Sequence, residues 1–87
     1  MLIFEYDLQK SKSNKKKHGI DFEEAKKLWL DDYYIEIPAK TVDEPRSLVI
    51  GKIADRHWSA VIAYRGEKVR IISVRCARKQ EIEIYES

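Results

Sequence analysis

The sequence predicts one α+β domain, in which an antiparallel sheet carries two N-terminal helices on one face and ends in a short C-terminal helix. Three observations support this fold class. The 87 residues leave room for one hydrophobic core, so we assign residues 1–87 to a single domain. Two segments with helical spacing follow an N-terminal strand. Three apolar segments joined by short polar turns predict an antiparallel meander, which gives the order β-α-α-β-β-β-β-α.

The first strand and the first helix are marked by an alternating pattern and by caps. Residues 2–6 alternate between two sets of side chains, as a strand does. Asp7 stands where its carboxylate can cap a helix from 8 to about 18, and Gly19 supplies the left-handed residue that ends it. Because this helix has almost no apolar stripe, we expect its inward face to be polar and hydrogen-bonded.

The second helix is indicated by a cap and by an apolar stripe. Asp21 followed by Glu24 fits a capping box, and the stripe predicts a helix from about 22 to 30 that packs on the core. The members of the stripe are Phe22, Ala25, Leu28 and Trp29.

The rest of the chain predicts four strands and a helix. Residues 33–38 form a short strand that Pro38 ends, and a polar connection follows at 39–45. Short turns then separate the strands of the meander, and apolar residues at helical spacing predict the last helix. These segments are 46–53, 57–64, 68–76 and, for the helix, about 78–86.

The net charge of +2 conceals a strong segregation of charge. Residues 10–18 contain five lysines and no acid, and residues 65–79 contain six lysines or arginines against one acid, Glu67. Residues 21–36, in contrast, contain six acids against two lysines. One surface should therefore suit polyanions, and another should be anionic.

The composition argues against several classes of protein. No run approaches the roughly 18 apolar residues of a membrane span, and the N-terminal residues lack the features of a signal peptide. We therefore expect a cytoplasmic protein with no membrane partner. The two histidines and the single Cys76 show no metal-ligand spacing, and there is no glycine-rich phosphate loop, so we expect neither a metal nor a cofactor.

The strand at 68–76 carries arginines among its apolar residues. Regular alternation places Arg70 on the more apolar face, which we expect to meet the helices, and Arg75 on the opposite, open face. The first face holds Arg70, Ile72, Val74 and Cys76, and the second holds Val69, Ile71, Ser73 and Arg75. Arg75 has no obvious acid nearby, and a guanidinium binds phosphate through two parallel donors, so we expect it to bind nucleic acid. Arg70 has two interpretations, a phosphate contact or an ion pair with Glu5 or Glu67.

Other polar and aromatic side chains are weaker candidates. Arg78 and Lys79 open the last helix, where cations oppose the helix dipole, and this cost is easier to understand if they bind a ligand. His18 is a candidate acid or base, with a structural hydrogen-bonding role as the alternative. Tyr85 could stack on a base or cover the edge of the core. His57 lies in a predicted turn, where we expect it to be solvated.

Two long stretches of the sequence closely resemble a known family. FEYDLQKSKSNKKKHGIDFEEA and VRIISVRCARKQEIEIYE, at 4–25 and 69–86, with an IGK strand between them, resemble the BrnT family of bacterial type II toxins. The resemblance spans essentially the whole chain. It rests on Asp7, Asn14, the run Lys17 to Gly19, Phe22, Ala25, the run Arg70 to Ala77, Arg78, Glu81 and Tyr85. One departure is Leu8, where the family usually has a proline, which alters helix initiation but no chemistry.

The resemblance implies a RelE-like fold, a ribonuclease activity that arrests translation, and neutralisation by a cognate antitoxin. The antitoxin would be a BrnA-like protein with a ribbon-helix-helix DNA-binding part, and operator DNA would be bound only through it. A homodimer, or a 2:2 complex of toxin and antitoxin, is the assembly that such a system implies.

The reaction expected on this basis is a metal-independent cleavage of RNA, in which the substrate's 2′-hydroxyl is the nucleophile. We assign Arg75 to the phosphorane oxygens, because charge stabilisation there is often the largest contribution. The other assignments are Arg70 and Arg78 as supporting catalytic residues, Lys79, Lys52 and Tyr85 as RNA-binding residues, and His18, Glu81 and Tyr85 as candidates for the acid and base. A lysine with a lowered pKa is a further candidate for the acid or base. The alternatives are a non-catalytic RNA- or DNA-binding module and an interaction protein that docks a partner through its acidic second helix.

Overall fold

A computed structural model describes residues 2–39 and 44–87 of the chain. The helices and strands follow the predicted order. They are β1 (Ile3–Glu5), α1 (Leu8–His18), α2 (Phe22–Ala25), a 3₁₀ helix (Lys26–Leu30), β2 (Ile35–Ala39), β3 (Arg46–Ile53), β4 (Arg56–Arg65), β5 (Lys68–Cys76) and α3 (Lys79–Glu86). Of the polar connection predicted at 39–45, residues 40–43 lie outside the described residues.

The five strands form one sheet with the spatial order β1-β5-β4-β3-β2. Strands β3 to β5 are antiparallel neighbours, as the short turns predict, and β2 also pairs antiparallel with β3. Strand β1 instead pairs in parallel with β5, so the prediction of a wholly antiparallel sheet is wrong at this edge. The reason is that β1 is followed by helices and not by a hairpin turn, so no tight turn fixes its direction.

The first helix is attached to the sheet through polar groups. Asp7 caps it, accepting a hydrogen bond from the Lys10 backbone at 3.0 Å, and Gly19 ends it with a φ of 81°. The Asn14 side chain donates to the carbonyl of Val74 at 2.8 Å, and the Ser11 hydroxyl accepts from the backbone of Phe22 at 2.9 Å. The predicted polar inward face of α1 is therefore confirmed.

The second predicted helix is only partly regular. The capping box of Asp21 and Glu24 is present, but α-helical geometry ends at Ala25 and a 3₁₀ helix continues to Leu30. The apolar stripe still reaches the core, because Phe22, Ala25 and Leu28 are buried. The close packing depends on Gly51 in β3, where a Cβ would lie 3.2 Å from Leu28 Cδ2.

A β-bulge in β5 changes which residues face the helices. Ile71 pairs with Ile62, but Ser73 pairs with Val61, so Ile72 is an extra residue that reverses the alternation. Val69, Ile71 and Val74 are therefore all buried in the core under α1 and α2. The predicted division of faces is wrong, since Arg70 does not lie on the core face with Val74. A period-two pattern cannot reveal one inserted residue.

The face opposite α1 and α2 is not open along its whole length. Ser59 and Arg75 are register partners in β4 and β5, so their side chains lie on the same face, opposite to that of Val74. Both side chains contact Glu81 of α3, which places α3 on that face. The expectation of a helix-free face around Arg75 is therefore wrong. Within the described ranges, no helix is long and apolar enough to cross a membrane.

Candidate active site

Arg75 forms a two-point ion pair with Glu81 beneath α3. Arg75 Nη1 lies 2.8 Å from Glu81 Oε1, and Nη2 lies 2.8 Å from Oε2. The Arg75 side chain is 25% exposed and that of Glu81 is 11% exposed. The expectation that no acid lies near Arg75 is thus wrong. The sequence does not predict the pair, because Arg75 lies in a strand and Glu81 in a helix, and the turn between them decides whether their side chains meet.

The Glu81 carboxylate accepts two further hydrogen bonds. Its Oε1 accepts from the Ser59 hydroxyl at 2.8 Å and from the Arg78 backbone at 2.7 Å, which fixes the start of α3. The Arg75 ion pair, with these donors, outweighs burial and lowers the pKa of Glu81 to about 2. Glu81 raises the pKa of Arg75 in return. At neutral pH this carboxylate is therefore ionised and a weak base.

One edge of the Arg75 guanidinium is unoccupied. A guanidinium has five N–H donors. Glu81 takes one on Nη1 and one on Nη2, and the carbonyl of Cys76 takes the second on Nη1 at 3.2 Å. The Nε donor and the second Nη2 donor have no partner among residues 2–39 and 44–87. These two donors form a side-on pair that matches two phosphate oxygens.

The other predicted arginines have different surroundings. Arg70 Nη1 lies 2.8 Å from Glu5 Oε2, so the ion-pair interpretation of Arg70 is confirmed, and the contact joins β5 to β1. Arg78 and Lys79 are exposed at the start of α3, and no carboxylate of the described chain lies within ion-pair distance of them. These two residues are therefore open cations beside the Arg75 ion pair.

A second polar group lies at the other end of α3. The Tyr85 hydroxyl donates to Asp31 Oδ2 at 2.6 Å, and the Lys52 backbone donates to the same oxygen at 2.8 Å. The bond to Asp31 raises the pKa of Tyr85 to about 12, so this phenol keeps its proton at neutral pH. Burial alone would raise the pKa of Asp31, but its hydrogen-bond donors, Tyr85 first, outweigh burial and lower it.

A groove of about 490 Å³ opens beside this group. The side chains of Lys52, Tyr85 and Tyr33 line it, and Tyr33 is 77% exposed. His57 lies nearby, with Nε2 2.7 Å from Glu86 Oε2 and its ring 5.2 Å from the ring of Tyr85. His57 belongs to β4 and its side chain is only 18% exposed, so the expectation of a solvated turn residue is wrong.

Helix α3 brings six of the predicted residues together and leaves two apart. Glu81 and Tyr85 are one helical turn apart and share a face of α3. Glu81 contacts Arg75 at one end of this face, and Tyr85 lies beside Lys52 at the other end. His18 ends α1 on the opposite face of the sheet, and Arg70 pairs at the β1 edge. We refer to Arg75, Glu81, Tyr85 and Lys52, with Arg78 and Lys79, as the α3 site.

Three contributors escape prediction from the sequence. Ser59 interrupts an apolar strand, and a polar residue at such a position signals a buried hydrogen bond. Asp31 follows the second helix without any local pattern. Arg56 lies with its guanidinium 5.0 Å from the ring centre of Trp58 and donates to Cys76 Sγ at 3.3 Å. In the part of the chain that the structure describes, no group of His, Cys, Asp and Glu could hold a metal ion.

The sequence matches one model of a known protein family. Residues 6–81 match the family described as the ribonuclease toxin, BrnT, of a type II toxin-antitoxin system. The matched range includes all strands of the sheet except β1 and extends to Glu81. No curated protein matches the chain.

Proposed function

The chain belongs to the BrnT family of ribonuclease toxins of type II toxin-antitoxin systems, and from this membership we propose that it is a metal-independent endoribonuclease that arrests translation. In this proposal the substrate's own 2′-hydroxyl attacks the phosphorus, the bond from phosphorus to the 5′-oxygen breaks, and the proton of the 2′-hydroxyl passes to water. A toxin of a type II system has an antitoxin as its partner. We propose that this antitoxin is BrnA-like, and that the fold is RelE-like.

The observation that carries the residue assignments is the edge of Arg75 that has no partner among the described residues, beside the exposed Arg78 and Lys79. We propose that the reacting phosphate binds the Nε and Nη2 donors of Arg75, while Glu81 holds the guanidinium in place. Arg78 and Lys79 would bind adjacent phosphates. Preorganised donors of this kind stabilise the charge that develops in the transition state, and one such donor typically contributes about 3 to 4 kcal/mol.

The three acid and base candidates differ in what they can do. Glu81 is a positioning residue in this proposal, because a carboxylate with a pKa of about 2 is a weak base. His18 lies on the opposite face of the sheet from Arg75. Tyr85 keeps its proton at neutral pH and lies beside Lys52. We therefore assign proton donation to the leaving 5′-oxygen to Tyr85, whose hydroxyl must break its hydrogen bond to Asp31 to donate there, and a phosphate contact to Lys52.

Arg70 has a smaller role in the proposal. Its guanidinium is bound to Glu5, and both side chains are 29% exposed. We propose that this ion pair orients β5 at the β1 edge without touching the reacting phosphate.

The experiment that tests the function is mapping of RNA ends. Purified protein is incubated with RNA in EDTA, and the products are tested for 5′-hydroxyl and cyclic phosphate ends. Attack by the 2′-hydroxyl predicts both ends, and EDTA should leave the rate unchanged. Cleavage that EDTA abolishes, or products with 5′-phosphates, would refute the mechanism. The variant Lys68→Ala should give the same products at the same rate as the unmodified protein, because Lys68 is exposed at the end of β5 that is far from Arg75.

The second candidate is a non-catalytic RNA- or DNA-binding module. This candidate is favoured by the ion pairs of Arg75 and Arg70, because these pairs neutralise the charge of both arginines in β5. Such a module would bind nucleic acid with a steep salt dependence and leave RNA intact. The same incubation separates the two functions, since binding without products would support the module.

A further inference from the structure

The outer face of α1 is strongly basic. Helix α1 contains five lysines and no acid, so it contributes +5 to a chain whose net charge is +2, and the remainder carries −3. Lys15 forms an ion pair with Glu24 at 2.6 Å. The other four, Lys10, Lys12, Lys16 and Lys17, are exposed and have no ion pair with any described residue. We call these four residues the lysine face.

The lysine face is not needed to attach α1 to the protein. The helix packs through Ser11 and Asn14, which are its buried residues, and their hydrogen bonds reach the backbones of Phe22 and Val74. The four lysines of the lysine face are exposed and take part in neither hydrogen bond. Their removal should therefore leave the packing of α1 intact.

The helix dipole explains only part of this charge. Lys16 and Lys17 lie in the last turn, where cations are favourable. Lys10 lies in the first turn, where a cation is unfavourable, and that turn has no acid. Lys12 and Lys16 are spaced by four residues and repel each other. These lysines therefore destabilise the isolated helix, and a bound polyanion would offset this destabilisation.

We propose that the lysine face is a second RNA-binding surface, which holds the phosphate backbone of the substrate at a distance from the α3 site. This inference rests on the proposed ribonuclease function, which makes RNA the polyanion. Helix α1 and the Arg75 guanidinium lie on opposite faces of the sheet, so a short RNA cannot contact both. The smallest extent of the molecule is 26 Å, which an RNA strand rising by 3.4 Å per nucleotide covers in about eight nucleotides.

The test compares salt-dependent binding of long and short RNA. The probe is 2′-O-methyl RNA, which has no free 2′-hydroxyl and is not cleaved by the proposed reaction. Each lysine that contacts a phosphate contributes about 0.7 to the slope of log affinity against log salt for a single strand. With an RNA of about 20 nucleotides, the variant with all four lysines changed to Gln should have a slope lower by about 3 and should bind more than tenfold more weakly.

Two controls make the result specific. The corresponding four Lys→Arg changes keep the charge and should bind like the unmodified protein. A single Lys16→Gln should lower the slope by about 0.7, whereas Lys68→Gln on β5 should not. An RNA of about four nucleotides is too short to reach both surfaces, so the Gln variant should lose a smaller factor of affinity for it than for the RNA of about 20 nucleotides.

The melting temperature separates binding from a structural role. The Gln variant should melt at the same or a higher temperature, because mutual repulsion along α1 is removed. An unchanged slope with long RNA would overturn the proposal, and so would weaker binding to double-stranded DNA with unchanged binding to RNA. Since the probe is not cleaved, failure of the ribonuclease proposal appears only in the mapping of RNA ends, not in this measurement.

Discussion

Replacement of Glu81 by Gln should remove a pH-dependent part of the stability of this chain. Gln has nearly the same shape as Glu and can still accept from Ser59, but it cannot form an ion pair with Arg75. The change therefore tests the charge of the pair with little change in packing. Because the Glu81 side chain is only 11% exposed, solvent screening of the pair is limited.

The magnitude follows from the pKa of Glu81. Folding lowers this pKa to about 2, from about 4.3 in an unfolded chain. A group with a lowered pKa stabilises the folded state above its unfolded pKa and loses this contribution as the pH falls through the folded value. At about 1.4 kcal/mol per pKa unit, Glu81 contributes about 3 kcal/mol at pH 7 and roughly half of that at pH 3.

The assay is urea unfolding of the two proteins between pH 7 and pH 3. The free energy of unfolding of Glu81→Gln should be lower by about 3 kcal/mol at pH 7, and the difference should shrink by about half at pH 3. Glu67→Gln is the control, since Glu67 is exposed and has no ion pair among the described residues, and it should change stability by less than about 0.5 kcal/mol. A Glu81→Gln difference that is constant with pH, or absent, would refute the account of the pair.

Three further substitutions test other contacts. Asn14→Ala should lower the free energy of unfolding by about 2 to 4 kcal/mol, because it leaves buried backbone groups unpaired, and a loss below about 1 kcal/mol would contradict this. Gly51→Ala should cost about 1 to 3 kcal/mol in thermal unfolding, since its Cβ would lie 3.2 Å from Leu28 Cδ2, and unchanged stability would show that the site can relax. Tyr85→Phe should cost about 1.5 kcal/mol through the lost bond to Asp31 and should slow RNA cleavage, so an unchanged cleavage rate would remove Tyr85 from the mechanism.

Two exposed positions supply controls for these substitutions. Ser13→Ala lies on the outer face of the same helix as Asn14 and should change stability by less than about 0.5 kcal/mol. Tyr33→Phe removes a hydroxyl from the same groove as Tyr85→Phe and should leave the stability unchanged.

The sequence is sufficient to predict those parts of the fold that depend on local chemistry. Asp7, Gly19 and the capping box at Asp21 each act on their own helix end, and all three have the predicted roles. The bulge at Ile72 is different, because its position is decided by pairing with β4. One inserted residue moved Arg70 to the face of Arg75, and no pattern within β5 could show it.

The candidate site is predicted in its residue types more than in its contacts. Arg75, Glu81, Tyr85 and Lys52 are chosen from the sequence, and α3 relates them in space. The hydrogen bonds and ion pairs between these residues could not be predicted, because they depend on where α3 packs on the sheet. The sequence predicts no acid near Arg75, whereas its guanidinium is paired with Glu81 in the structure.

The central claim is that the side-on edge of Arg75 stabilises the transition state of RNA cleavage. The most direct measurement is the single-turnover rate with RNA in EDTA for the unmodified protein and Arg75→Lys. Lysine keeps the charge for Glu81 but cannot present two parallel donors, so folding should be retained. The account predicts a rate lower by about 100-fold to 1000-fold. A folded Arg75→Lys protein that cleaves RNA at the unmodified rate would contradict it.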